Sequence, residues 1–139
     1  MDILHVLVAG VWAGWTVFMA VLVVPAARDG RLRADALSWL TGRFTRFSQI
    51  APIVMLLTGG YMAGQGAITE APLNSLQGQL VMTMIVLWLV LSGLSNVASR
   101  RLLASVESSG VEPAARSTAM IFYVAGGVAL ALLLVGGWL

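Results

Sequence analysis

A stretch of 22 residues without a charge, 3–24, limits what this chain can become more than any other feature. At about 1.5 Å per helical residue it reaches roughly 33 Å, enough for a hydrocarbon core of about 30 Å. Three more such runs follow, at about 47–64, 80–98 and 117–139. Lipid offers the backbone no hydrogen-bond partners, so runs of this kind must be helices. Charged residues make up only 10% of the chain, against about 25% in a soluble domain. The expected fold is therefore all-α. It is a polytopic membrane protein with one domain over 1–139, an up-down antiparallel bundle of four transmembrane helices.

Charge sets the expected topology. All eight basic residues are arginines, and all lie at 28–46 or 100–116. The segment 65–79 on the other side holds Glu70, Pro72 and Asn74 but no arginine. By the positive-inside rule the arginine-bearing connections face the cytoplasm and both termini face outward, which suits an integral protein of the plasma (inner) membrane. The first run is expected to be a retained helix. Only Met1 and Asp2 precede it, and it is too long for the apolar part of a cleaved leader. It should end at Pro25 and the polar residues after it. The second helix should be regular from about Leu32, before it enters the bilayer, and Pro52 should kink it. The segment 102–116, with Ser109-Gly110 and Pro113, reads as the last connection. The arginines are needed at the membrane surface, so lipid is the expected partner and nucleic acid is not. Gly10-xxx-Gly14, Gly60-xxx-Gly64 and Gly126-Gly127 should let helices approach closely within the bundle.

His5 is the only histidine. On a helix it shares a face with Ala9, Trp12, Thr16 and Met19. Tyr61, Met62, Gln65, Gln79, Met82, Met84 and Trp138 should lie at similar depth. Imidazole nitrogen and thioether sulfur both bind haem iron or copper, so His5 with Met62, Met82 or Met84 can form a metal site. Trp12 and Trp15 can wall a pocket for a flat cofactor. The plainer reading makes His5 interfacial and the methionines and deep tryptophans core filler. Trp39 and Trp138 suit interfacial belts. Ser92, Asn96 and Ser99, with Gln49, are expected to bond between helices. No carboxylate lies within a span, which argues against an ion-coupled transporter. The chain has no cysteine, which excludes thiolate ligation.

Three stretches carry a resemblance: LHVLVAGVWAGWTVFMAVLVVP, RFTRFSQIAPIVMLLTGGYMAG and GQLVMTMIVLWLVLSGLSNVASRRL. An early histidine followed by Trp-x-Gly, an Arg-Phe start to the second helix, a Leu-Thr-Gly near its end, and a third helix closing on Asn and arginines together resemble the CopD-like membrane proteins. That group includes the copper-resistance CopD domain and the HemJ-type protoporphyrinogen oxidases. The resemblance implies a bundle with a haem b or metal site on the helix-one histidine, His5. HemJ-type enzymes also use a helix-three lysine. This chain has no lysine, so oxidase activity is not expected. The leading expectation is haem b bound through His5, with Met62 or Met82 as second ligand and Trp12 and Trp15 as walls, in redox or haem handling. The alternatives are Cu(I) binding or transport through His5, Met62, Met82 and Met84, or a cofactor-free scaffold. A chain this short suits a homo-oligomer or a membrane partner.

Overall fold

The computed structural model describes residues 2–67 and 74–138. It contains four helices in sequence. Helix α1 is α-helical over Asp2–Phe18, passes through a π-helical turn at Met19–Val23, and finishes at Val24–Arg28. Helix α2 spans Ala34–Met62 and closes in a π-helical turn, Ala63–Ala67. Helix α3 spans Leu76–Ser109 and α4 spans Val111–Gly137. All four are long and apolar enough to cross a membrane. Helix α1 packs against α2 and α4, and α3 packs against the same two, so the helices stand around the bundle in chain order. Contacts confirm the antiparallel run: His5 meets Thr58 and Trp12 meets Ser48, while Gly126 packs on Ala20 and Gly136 on Met84.

The large apolar side chains that face outward define a band. They run from Ile3 to Leu22 on α1, Ile50 to Tyr61 on α2 with Trp39 standing alone before them, Leu76 to Val97 on α3 and Met120 to Trp138 on α4. The helices continue past this band at the arginine end. Residues 34–46 of α2 alone add about 20 Å at 1.5 Å per residue. There, apart from Trp39, the exposed positions are polar or small (Asp35, Arg43, Arg46, Arg100, Arg101, Glu107, Glu112, Arg116), while Leu37, Phe44, Leu102, Val106, Ala114 and Ala115 remain buried. A water-facing surface with a packed interior follows from that pattern. The expected connection at 102–116 is thus a correction. It is helical on both sides of Gly110, whose φ of +87° and ψ of 179° break the chain in a region that only glycine adopts readily. Pro113 falls in the first turn of α4, where its missing N–H has no carbonyl to serve.

Two further expectations change. Pro25 does not end α1. Lacking an N–H, it cannot serve the carbonyl of Val21, and the turn before it widens so that Val24 N–H donates to Met19 O. The helix then stops at Asp29 and Gly30, with Gly30 at φ +69° and a carboxylate oxygen of Glu112 occupying the place of a side chain there. The glycine pairs also behave differently from expectation. Gly10, Gly14, Gly60, Gly64 and Gly127 have open space where a Cβ would be; only Gly126 packs closely, 3.1 Å from the Ala20 methyl. Within the bundle alanines make the close contacts: Ala13, Ala20, Ala27, Ala51, Ala98, Ala125 and Ala129 are buried. The connection expected over 65–79 is described only at its ends; Glu70 and Pro72 lie outside the described residues.

Candidate functional site

His5 stands near the start of α1, with Ala9, Trp12, Thr16 and Met19 following it down the inward face as the helical spacing requires. Antiparallel pairing brings it to the far end of α2. Its Nδ1 lies 2.7 Å from Thr58 Oγ1. Thr58 is 4% exposed and His5 is half-buried. The Thr58 hydroxyl donates to Val54 O at 2.8 Å, with Met55 O further away at 3.3 Å. The next residue is Gly59. A Cβ there would come 3.2 Å from His5 Cε1, so the imidazole lies against the α2 backbone in a space that glycine leaves. Three residues before Thr58 is Met55, buried, and four after it is Met62, half-buried. That spacing puts both thioethers on the α2 face that receives His5.

The other candidates separate. Met82 is 40% exposed in an open depression formed by Gln79, Thr83, Val86 and Leu87, all of α3. Met84 turns its methyl toward Gly136 of α4, at 3.6 Å from that residue's Cβ position. Helix α3 stands across the bundle from α1, so Met82 and Met84 belong to the helix opposite His5, whereas Met62 shares the α2 face of Thr58 by helical register. Trp12 is 2% exposed, and its Nε1–H donates to Ser48 Oγ at 3.2 Å. Around it Ala13, Ala51, Leu91, Ala125 and Ala129 form one buried cluster, so Trp12 is core and not a pocket wall. Trp15 packs its ring on Phe47 and, edge-on, on Phe44, at centroid distances of 5.6 and 6.1 Å.

Polar side chains on α3 also differ from expectation. Asn96 donates to Ser92 O and Ser99 to Ser95 O, within their own helix, and Gln49 is exposed. Short polar side chains bond back to the preceding turn when the bilayer offers nothing else. Thr41 Oγ1, Ser95 Oγ and Trp88 Nε1 are buried without a hydrogen-bond partner. At the arginine end, Arg43 lies 5.2 Å from the ring centre of exposed Trp39, and Arg28 donates to Tyr123 Oη at 3.3 Å. Both pairings suit a boundary where a ring is half in lipid and a cation reaches for water.

Among the described residues no three His, Cys, Asp or Glu side chains gather as a metal cage. A site here has to be built from one imidazole and softer donors. Comparison with protein-family models, curated proteins and solved structures gave no match. Thr58 and Gly59 had drawn attention only inside the Leu-Thr-Gly motif; the signal of their role is a small residue beside a back-bonding threonine at the depth of the only histidine.

Proposed function

We propose that this chain is a small CopD-like integral membrane protein that binds haem b through His5 and serves in redox or haem handling. The arginine end would lie in the cytoplasm and His5 near the outer surface of the plasma membrane. The observation that supports this reading is the seating of the only imidazole: Thr58 holds one ring nitrogen and Gly59 lets the ring lie on α2. An imidazole oriented by a second side chain is how metal-bound histidines are usually held. An imidazole of this kind would suit haem iron as a ligand. The packed cluster around Trp12 leaves the core no room for a porphyrin, so the macrocycle belongs outside it. Bound there, haem b would supply one-electron chemistry; the protein's part is to orient His5 and keep one face of the site in apolar surroundings. Oxidase chemistry of the HemJ type is no part of the proposal, because the chain has no lysine.

A second reading is favoured by the helical register of Met55, Thr58 and Met62: Cu(I) held by His5 and Met62. One experiment separates the two. Protein purified in mild detergent is scanned oxidised and dithionite-reduced, with metal analysis of the same sample. Haem b predicts a Soret band that His5→Ala abolishes; a normal spectrum in that variant sinks the reading. Copper predicts a metal-loaded sample without a porphyrin spectrum, lost in Met62→Leu but kept in Met82→Leu. A colourless, metal-free sample that refuses added haemin and Cu(I) but forms a stable oligomer would favour the scaffold alternative, for which the outward glycines Gly10 and Gly14 are suited.

A further inference from the structure

We infer that one water molecule binds inside the bundle, beside the π-helical turn of α1, held by Thr41 Oγ1, Ser95 Oγ and the carbonyl oxygen of Ala20.

Threonines elsewhere in these helices bond back along their own helix. Thr16, Thr45, Thr58, Thr83 and Thr118 each place Oγ1 2.8 Å from the carbonyl oxygen four residues earlier. Ser99 does the same at 2.7 Å. Such a bond satisfies a hydroxyl without help from solvent. Thr41 and Ser95 do not make it. Both residues have no exposed surface, and both hydroxyls lack a protein partner, although buried polar groups are rarely left unpaired.

The third group is backbone. In the π turn Val24 N–H donates to Met19 O instead of Ala20 O. A continued π register would give Ala20 the N–H of the next residue, but that residue is Pro25. The carbonyl of Ala20, a residue 2% exposed, is therefore passed over in both registers.

Contacts between helices put the three groups at one level. Trp12 meets Ser48, and Trp15 packs on Phe44 and Phe47, so the antiparallel register carries Thr41 to the level of residues 18–21 of α1. Ala20 meets Gly126, and Met84 meets Gly136. Gly126 and Gly136 are ten residues apart, and ten residues on from Met84 is Leu94, so Ser95 stands within one residue of the level of Ala20. The core divides there as well: Leu91 and Ala125 belong to one buried apolar cluster, Ala98 and Phe122 to the other. Trp88 Nε1, also buried without a partner, is seven residues from Ser95, about 10 Å along α3, and takes no part.

Two hydroxyls and a carbonyl suit water, which makes about three hydrogen bonds in protein interiors. A cation is the weaker candidate. All three oxygens are neutral, and the nearest carboxylate along these helices, Asp35, is six residues from Thr41. Water in this place ties α1, α2 and α3 together, and each hydroxyl counts only while the other is present.

Two measurements on the protein in mild detergent test this. In a double-mutant cycle, Thr41→Val and Ser95→Ala should each lower the folded-to-unfolded ratio by about 3–15-fold, the range of hydrogen bonds between membrane helices. The double variant should be no worse than the poorer single variant. Single variants that are neutral or stabilising, or losses that simply add, overturn the inference. Brief X-ray irradiation in 18O-labelled water reads the water directly, because hydroxyl radicals formed from it oxidise the nearest reactive side chain. Met19, in the π turn and without exposed surface, should gain labelled oxygen in the wild type and not in the double variant, while exposed Met120 is oxidised in both. An unlabelled wild-type Met19, or equal labelling in the double variant, overturns the inference; if the variants fail to fold, the wild-type labelling decides alone. Unfolding with Na+, K+ or choline as the only added cation should give one stability. Stabilisation by one metal ion that Thr41→Val abolishes would make this a cation site and overturn the assignment to water.

Discussion

His5, Trp12 and Arg28 each reach from α1 to another helix, to Thr58, Ser48 and Tyr123. Their weights differ. In His5→Ala the Thr58 hydroxyl keeps its bond to Val54 O, so Thr58 is not stranded. Stability should fall by only about 1 kcal/mol or less, the usual range for such bonds in membranes, while any cofactor is lost outright. Trp12→Phe strands the buried Ser48 Oγ and thins the core. It should cost about 1–3 kcal/mol, and a double cycle with Ser48→Ala should recover part of that. Detergent-mixture unfolding followed by circular dichroism checks both. If His5→Ala were the more damaging of the two, His5 would be structural first.

At the scale of elements, the glycines divide by what lies over them. Gly110 is the whole link between α3 and α4, and its backbone angles exclude a side chain without strain. Gly110→Ala should destabilise by about 1–3 kcal/mol. Gly126→Ala pushes on the Ala20 methyl at 3.1 Å and should be felt as a smaller loss. Gly10→Ala and Gly14→Ala meet nothing within the bundle. They should be neutral or gain up to about 1 kcal/mol each from helix propensity, unless a second molecule covers them. The same unfolding measurement, repeated across detergent-to-protein ratios, distinguishes these cases. A loss at Gly10 that vanishes on dilution would place an interface there.

For the whole molecule, the decisive division is between the apolar band and the helical extension at the arginine end. The chain has no cysteine, so single cysteines report topology cleanly. Ser109→Cys lies at the arginine end and should be shielded from a membrane-impermeant maleimide in intact cells; Asn74→Cys, at the other end, should react. The reverse pattern would invert the orientation. Within the bundle, buried side chains are spread through both halves, with Leu37, Leu102, Val106 and Ala114 packed beyond the band. The extension is therefore part of one fold with the spans, and truncating 34–46 should unfold more than the segment removed.

Length and charge along the chain were enough to determine the number of helices, that each is long and apolar enough to cross a membrane, and which end carries the arginines. These are one-dimensional properties: an apolar run must be as long as the bilayer is thick, and cations stay at its edge. The inward face of α1 was also legible, because the helical period carries His5, Trp12 and Thr16 to one side. Tertiary structure decided the rest. A helix apolar all round has no polar face to announce its interior. Nothing in the order of residues says that Gly59 faces a histidine while Gly10 and Gly14 face outward. The hydrophobic contrast that orients helices in soluble proteins is absent within lipid, and rotation is set by close packing between particular side chains. Continuation of α3 and α4 past the band has the same origin: Leu102, Val106, Ala114 and Ala115 bury against one another, and that contact, not local composition, keeps 102–116 helical on either side of Gly110.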